Sequence, residues 1–332
     1  MSHEKRENET ITIVSFASQN LERQAELRSG VDAVFKNVPH NLLFPADESA
    51  LIESIRDADI LLAWRLTPEL FRVAKRLKWA HLGVAGVEHS LFPAVIESDL
   101  ILSNSSGIHG QFMSEWTLSV LYYISQRMSE VDAWRTDHDW KAHKDVVTRS
   151  RFLIEGKSAL IVGYGEIGRA VAQKLTALGV TCKGIVARIR PAEIPLHASD
   201  QLAGIIGRFD IVVIAVPITP STEKLFNREM FARMKTGSIL VNLARGKIID
   251  EEALIEALRN GPLAYAALDV FAKEPLPADS SLFSIPNLLI TPHIAGNYPD
   301  YSKRVIELFL ENLKRYLSGH PLLRVVEKQR GY

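Results

Sequence analysis

A short glycine-rich segment near the middle of the chain constrains the fold more than any other feature. Residues 159–162 are apolar, and Gly163, Gly165 and Gly168 follow with the spacing G-x-G-x-x-G, ahead of a helical pattern. Between a strand and a helix, such glycines permit a tight turn, close approach of a pyrophosphate, and close helix–strand packing. The free N–H groups of the helix start also attract phosphate. Dinucleotide binding is predicted for Gly163, Tyr164, Gly165, Glu166, Ile167 and Gly168. The alternative is a turn that binds nothing.

Short apolar runs alternate with amphipathic stretches on both sides of this turn, which predicts a parallel α/β architecture. In the first series, strands are expected near residues 11–16, 33–38, 60–64, 79–84 and 100–103. In the second series, strands are expected near residues 159–162, 181–186, 211–215, 239–242, 264–268 and 288–290. Helical stretches lie at 111–127, 131–140 and 300–317. We predict two Rossmann-like doubly wound domains: a flavodoxin-like domain of residues 1–105 and 297–332, and a dinucleotide-binding domain of residues 106–296.

Charge and cysteine content limit the partners and the compartment. Lys+Arg and Asp+Glu both number 39, so the net charge is zero, which argues against a nucleic-acid or membrane-surface partner. The single cysteine, Cys182, excludes an intrachain disulfide and fits a reducing compartment. The first ten residues lack the apolar segment of a secretory signal. A cytoplasmic location is therefore expected.

The end of the second strand of the dinucleotide-binding series indicates which nicotinamide cofactor is preferred. NAD-binding proteins usually place an acidic residue there, on the adenosine ribose. Here Ala187 is followed by Arg188 and Arg190, with no acid. A guanidinium suits the 2′-phosphate of NADP. The sequence therefore favours NADP over NAD, unless the two arginines are only solvated loop charges.

Further motifs follow the glycine turn in a fixed order. They are VNLARG at 241–246 with IDEEAL at 249–254, ALDVF at 267–271 leading to Glu274, TPHIAG at 291–296, the loop from Pro217 to Thr222, and GVAG at 83–86. With the turn, they resemble the D-isomer-specific 2-hydroxyacid dehydrogenase family, and most of all its glyoxylate/hydroxypyruvate reductase-like members. The resemblance covers nearly the whole chain. It implies two Rossmann-like domains with the active site in the cleft between them.

The resemblance also implies roles for individual residues. Arg245 falls on the substrate arginine, His293 on the acid–base and Glu274 on its carboxylate partner, and these are the candidate catalytic residues. In addition to the glycine turn, Thr222, Ala244, Asp269 and Gly296 fall on the family's cofactor surface. The further candidate cofactor residues are Arg188, Arg190, Pro217, Arg245 and His293. Val84, Ala85 and Gly86, with Arg245, are the candidate substrate residues.

Those residue types suit hydride transfer to a carbonyl. Arg245 offers a permanent charge and a fork that can hold a carboxylate and a carbonyl oxygen. His293 can donate a proton in reduction and accept it in oxidation. Glu274, if it meets the other ring nitrogen, fixes the tautomer. Two assignments have an alternative. Asp269 either lies near the nicotinamide or caps its own turn. Residues 83–86 form either a nest of backbone N–H groups for the substrate carboxylate or a tight turn.

The implied reaction is hydride transfer between NAD(P)H and a small 2-oxo acid, giving the D-2-hydroxy acid. One alternative is a non-catalytic NAD(H)-sensing protein, as among the family's corepressors. A short phosphoglycerate or D-lactate dehydrogenase is another. Two departures from the family pattern make the substrate the least constrained inference: Asn297–Tyr298 after Gly296, and a substrate loop without the polar residue often seen there. A third departure, the missing acid, bears on the choice between NAD and NADP.

The resemblance predicts a homodimer, because in this family the region that corresponds to Gln111–Trp140 commonly forms the dimer interface. Its aromatic residues Trp116, Trp134 and Trp140 are expected in the core or at that interface. No metal site is expected, because His109, His138 and His143 lack accompanying ligands at suitable spacing.

Overall fold

A computed structural model describes residues 10–36 and 38–331. The N-terminal segment that bears on location lies, apart from Thr10, outside the described residues. The chain divides into two compact units: the described residues up to Ile108 together with those from Tyr298 onward, and His109–Asn297. Of the helices in the described ranges, none is both long and apolar enough to cross a membrane.

The first unit begins with alternating strands and helices. Its strands are β1 (Ile11–Ser15), β2 (His40–Leu43), β3 (Ile60–Ala63), β4 (Trp79–Leu82) and β5 (Ile101–Asn104). Its helices up to Ile108 are α1 (Leu21–Phe35), α2 (Glu48–Ser54), α3 (Pro68–Val73) and α4 (Pro93–Ile96). In the described part of this unit, the parallel strands form one sheet in the order β2-β1-β3-β4-β5. This is the flavodoxin-like order that was predicted.

The second unit carries the longer series. Its helices are α5 (Gly110–Ser125), α6 (Met128–Asp137), α7 (Trp140–Ser150), α8 (Glu166–Ala177), α9 (Leu202–Ile205), α10 (Arg228–Ala232) and α11 (Glu251–Arg259). Its strands are β6 (Ser158–Val162), β7 (Thr181–Val186), β8 (Leu196–Ala198), β9 (Ile211–Ile214), β10 (Ser238–Asn242), β11 (Leu263–Leu268) and β12 (Leu288–Ile290). The parallel strands run β12-β11-β10-β9-β6-β7-β8. A last helix, α12 (Tyr301–Leu317), belongs to the first unit. The fold class predicted from sequence, with two parallel-sheet α/β domains, is confirmed.

Both faces of the first sheet are buried, because side chains alternate between two cores. On one face, Ile13 and Leu62 pack with Val31 of α1 and Phe309 of α12. On the other, Val14 and Leu61 pack with apolar residues of α2 and α3. Burial of both faces explains why these strands are continuously apolar in sequence.

Three sequence predictions of local structure were wrong. The strand expected at 33–38 is mostly the end of α1, because Leu27, Val31 and Phe35 continue a helical spacing. The helix expected at 131–140 is two helices, α6 and α7, separated at His138, whose φ is 63°. The sequence predicted six strands in the second sheet and missed β8, a three-residue edge strand that pairs with β7.

The carboxyl ends of the second sheet's strands carry the sequence motifs. The glycine turn follows β6, the Pro217 loop follows β9, and the loops of Arg245, Glu274 and His293 follow β10, β11 and β12. Adjacent parallel strands end at the same edge of a sheet, and ligands bind there at the point where strand order reverses. That point lies between β6 and β9.

Candidate active site

The three glycines of the turn do different things. Gly163 has a φ of 103°, and a side chain there would collide with the Ala215 carbonyl. A side chain at Gly168 would collide with the Gly163 carbonyl, so this glycine sets the close packing of α8 on β6. At Gly165, by contrast, a Cβ would meet no atom within 4 Å. Gly165 is also the N-cap of α8 and offers no capping side chain. Open space beside an uncapped helix start fits an approaching pyrophosphate.

The segment beyond β7 combines arginines with an acid that sequence reasoning missed. Arg188 is exposed, whereas Arg190 donates from Nη2 to the Tyr164 carbonyl oxygen at 2.6 Å. Glu193 accepts from the Tyr164 hydroxyl at 3.0 Å and pairs with Arg169. The hydrogen bond from Arg169 is the main cause that holds the pKa of Glu193 down to about 2. The loop after β7 folds back so that Glu193 contacts Tyr164 of the glycine turn. No local sequence motif predicts this contact.

The loop from Pro217 to Thr222 is closed by the threonine side chain. The Thr222 hydroxyl donates to the Pro217 carbonyl at 2.8 Å and accepts from the Thr219 N–H at 2.7 Å. These bonds keep the loop compact at the edge beside the glycine turn.

The loop of Arg245 is shaped by buried Asn242 at the end of β10. The Asn242 side chain accepts from the Ala244 N–H and donates to the Arg245 carbonyl, both at 3.0 Å. Gly246 has no room for a side chain, because a Cβ would collide with the backbone of Phe271. The Arg245 loop therefore lies directly on the loop that leads to Glu274.

Glu274 and His293 form a hydrogen-bonded pair across two loops. His293 Nδ1 lies 2.7 Å from Glu274 Oε2, and Glu274 Oε1 accepts from the Phe271 N–H at 2.9 Å. The His293 backbone has a φ of 54° and donates its N–H to the Asp269 carbonyl at 2.9 Å. The His293 side chain is 52% exposed. Because the carboxylate engages Nδ1, Nε2 is the nitrogen left for proton exchange.

The loop of residues 83–86 in the first unit presents backbone groups rather than charged side chains. The Gly83 N–H donates to the Ala63 carbonyl at the end of β3, at 2.8 Å. Over the ranges described, the N–H groups of Val84, Ala85 and Gly86 donate no hydrogen bond. Consecutive unused N–H groups are available as donors to an anion.

Comparison with known proteins identifies the family to which this chain belongs. Residues 118–295 match the family described as D-isomer specific 2-hydroxyacid dehydrogenase, NAD binding domain. The chain belongs to the D-isomer specific 2-hydroxyacid dehydrogenase family. The resemblance predicted from the motifs is therefore confirmed, and the enzyme class is that of NAD(P)-dependent 2-hydroxyacid dehydrogenases.

Individual members of this family match over most of the chain. A glyoxylate reductase of Thermofilum pendens is 30% identical over 292 residues, 86% of either chain. A solved structure of an NADPH-dependent glyoxylate/hydroxypyruvate reductase from Sinorhizobium meliloti, in complex with NADP and sulfate, is 27% identical with a TM-score of 0.81. That match covers 98% of this chain and 100% of the other. A D-3-phosphoglycerate dehydrogenase of Methanocaldococcus jannaschii is 30% identical over 83% of this chain and 53% of its own length.

Asp269 has the contacts of a structural cap within this dehydrogenase chain. Its buried carboxylate accepts from the Thr291 hydroxyl at 2.5 Å and from the N–H groups of Ile294 and Ala295 at 2.9 and 2.8 Å. These bonds fix the loop that carries His293. They support the rival reading of Asp269, and its contact with the nicotinamide stays a prediction.

His109, considered in the sequence only as a metal ligand, is a second residue that sequence reasoning missed at the site. Burial, and then the charge of Arg245, lower its pKa to about 4, so the imidazole is neutral near pH 7. A side chain at Gly296 would approach His109 Cδ2 to 2.8 Å, which explains that glycine sterically. In the sequence, a lone histidine ahead of a predicted helix gave no indication that it would interact with Arg245. Within the ranges described, no group of three or more His, Cys, Asp or Glu side chains is arranged to hold a metal ion.

Proposed function

We propose that this dehydrogenase reduces a small 2-oxo acid, of the glyoxylate or hydroxypyruvate type, with NADPH to the D-2-hydroxy acid, and that His293 donates the proton. The observation that carries the proposal is the 2.7 Å contact between His293 Nδ1 and Glu274 Oε2. This pair lies at the carboxyl edge that also bears Arg245 and the glycine turn. A positioned histidine, its carboxylate orienter and a guanidinium are what carbonyl reduction requires of the protein.

Each residue of the pair and Arg245 has a defined task. Reduced nicotinamide, when bound, supplies the hydride that adds to C2 of the oxo acid. As the C=O π electrons move to oxygen, the Arg245 guanidinium stabilises the developing negative charge. The Nε2–H of His293 gives its proton to that oxygen, leaving the hydroxyl. Glu274 accepts from Nδ1–H and keeps the ring in the orientation in which Nε2 faces the reacting oxygen.

The first unit is proposed as the substrate domain, with residues 83–86 binding the substrate carboxylate. The unused N–H groups of Val84, Ala85 and Gly86 support this role. Backbone donors tolerate any 2-oxo acid, because they contact the carboxylate that all such acids share. Discrimination between substrates then depends on side chains around C3.

The preference for NADPH is proposed from exposed Arg188 just beyond β7. The NADP complex of the Sinorhizobium meliloti relative supports it. Arg190 is held by the Tyr164 carbonyl, which leaves Arg188 as the more mobile guanidinium for a 2′-phosphate.

We also propose a homodimer and a cytoplasmic location. In the single chain no residue of α6 or α7 is fully buried, and Trp140 is 63% exposed beside Trp134. Exposed aromatic residues on adjacent helices suit a subunit interface. Cys182 is a buried free thiol whose pKa is raised by burial, which fits a reducing compartment. Analytical ultracentrifugation tests the dimer.

The test of function is loss of reduced-nicotinamide absorbance with NADPH and NADH, against glyoxylate, hydroxypyruvate, pyruvate, 3-phosphohydroxypyruvate and a bulkier 2-oxo acid. We expect turnover of glyoxylate or hydroxypyruvate, with NADPH preferred. Selective turnover of the phosphorylated acid favours the second candidate, a phosphoglycerate dehydrogenase, for which the Methanocaldococcus relative is the specific support. Silence across the panel, with NADPH shown to bind, favours a nicotinamide sensor.

A further inference from the structure

Three consecutive carbonyl groups of the 83–86 loop are engaged by other parts of the first unit. The Gly83 carbonyl accepts from the Tyr301 hydroxyl at 2.5 Å, the Val84 carbonyl from the Ser105 N–H at 3.0 Å, and the Ala85 carbonyl from Asn104 Nδ2 at 2.7 Å. The donors come from the start of α12 and from the end of β5, which are far apart in sequence. Two separate segments of the first unit therefore hold the loop in place.

Peptide geometry converts these three bonds into three donor directions. In a planar trans peptide, the C=O of one residue and the N–H of the next point in opposite directions. Fixing the carbonyls of Gly83, Val84 and Ala85 therefore fixes the N–H groups of Val84, Ala85 and Gly86. These are the N–H groups that donate to nothing in the described part of the chain.

Tyr301 is itself held rigidly. Its ring stacks on Trp64, with centroids 5.9 Å apart and planes at 21°, and meets the edge of Tyr298 at 5.6 Å. Trp64 also lies against Gly83, where a Cβ would come within 2.8 Å of the indole. Burial raises the pKa of Tyr301 above its usual value, so the phenol stays a donor across the neutral range. The hydroxyl of this ring joins it to the loop through the Gly83 carbonyl.

We propose that Tyr301 and Asn104 are positioning residues for substrate recognition, since they hold the peptide planes of residues 83–86 so that three N–H groups converge on the carboxylate of the 2-oxo acid. The inference rests on the proposed function of that loop. It assigns the last helix of the chain, which bears no family motif, a part in substrate affinity rather than in hydride transfer.

The variant Tyr301→Phe keeps the stacked ring and removes only the hydroxyl. Loss of one orienting hydrogen bond predicts a rise of about threefold to tenfold in the KM for the 2-oxo acid, with kcat within about twofold. The inhibition constant of oxamate, which carries the same carboxylate as pyruvate, should rise in parallel. Inhibition by neutral oxamide and the Kd of NADPH should not change. Asn104→Ala should act in the same direction.

Tyr316→Phe is the matched control, because Tyr316 lies on the same helix and stacks on Trp79 at 5.5 Å. It should leave the KM and the oxamate constant unchanged. The inference is overturned if Tyr301→Phe leaves both constants unchanged, if it lowers kcat alone, or if Tyr316→Phe raises them equally. A wild-type protein that reduces no 2-oxo acid and binds no oxamate would instead refute the proposed function, and the inference with it.

Discussion

The proposed function assigns the two units different kinds of substrate-binding groups at the carboxyl edges of their sheets. The second unit offers charged side chains, Arg245, Glu274 and His293, each on a loop after its own strand. The first unit offers peptide N–H groups of residues 83–86, aimed by carbonyl bonds to Tyr301, Ser105 and Asn104. A site made of side chains is visible in sequence, because residue type carries the chemistry. The family resemblance implied residues 83–86 as substrate residues, but the sequence could not show what orients their backbone, because that depends on a tyrosine 218 residues away.

The largest effect is expected where chemistry depends on one side chain. His293→Gln should lower kcat by about 10²- to 10⁴-fold, because proton delivery to the carbonyl oxygen is lost. The Kd of NADPH should stay within a few-fold. Steady-state kinetics with fluorescence titration measures both, and exposed His320→Gln is the matched control. A kcat of His293→Gln within tenfold of wild type would show that His293 is not the proton donor.

Arg245→Lys tests whether the second unit's charge or its geometry matters. The substitution keeps the positive charge and loses the planar fork, so we expect kcat/KM for the 2-oxo acid to fall by about 10²- to 10³-fold. Arg259 of α11 is exposed, so Arg259→Lys is the control and should leave kcat/KM unchanged. Equal kcat/KM in the Arg245→Lys variant and in wild type would show that a point charge suffices.

Each unit contains a buried neutral histidine that makes it sensitive to acid, His109 in the second unit and His81 beside the backbone site in the first. His81 Nδ1 lies 2.8 Å from the Ser103 hydroxyl and Nε2 lies 3.2 Å from the hydroxyl of Ser105, whose N–H orients the loop. Burial lowers the pKa of His81 to about 3. Below pH 6.5 the imidazole of His81 binds a proton in the unfolded chain but stays neutral in the native state. The contribution of His81 to the free energy of unfolding should therefore fall by about 2 kcal/mol between pH 7 and pH 5.

Calorimetry of His81→Gln checks this dependence. The variant should lose less stability than wild type over the same pH range, whatever its stability at pH 7, and His320→Gln should keep the full loss. If wild type and His81→Gln lose the same stability on acidification, His81 does not cause it.

The smallest effect concerns the cofactor. Arg188→Ala should raise the KM for NADPH about tenfold and leave that for NADH nearly unchanged, because only NADPH carries the 2′-phosphate. Arg259→Ala is the control. Equal effects of Arg188→Ala on both cofactors would exclude a 2′-phosphate contact.

Sequence reasoning succeeded where residue type and period determine the outcome. The alternation of apolar and amphipathic segments predicted the α/β units, and the glycine spacing predicted the turn between β6 and α8. The family resemblance implied that Glu274 is the partner of His293, and the two side chains are in contact. It failed at β8, whose three residues are too few for a period, and at residues 33–35, where β-branched and aromatic residues extend a helix. It also missed His109 and Glu193, because each reaches the site through the path of a loop.

The most direct test is the configuration of the product. Glyoxylate gives achiral glycolate, so hydroxypyruvate or pyruvate should be reduced with NADPH and the hydroxy acid resolved by chiral chromatography. Hydride delivery to a carbonyl held between Arg245 and His293 in a D-isomer specific dehydrogenase predicts only the D enantiomer. Formation of the L enantiomer or a racemate, or no reduction by protein that binds NADPH, would contradict the account.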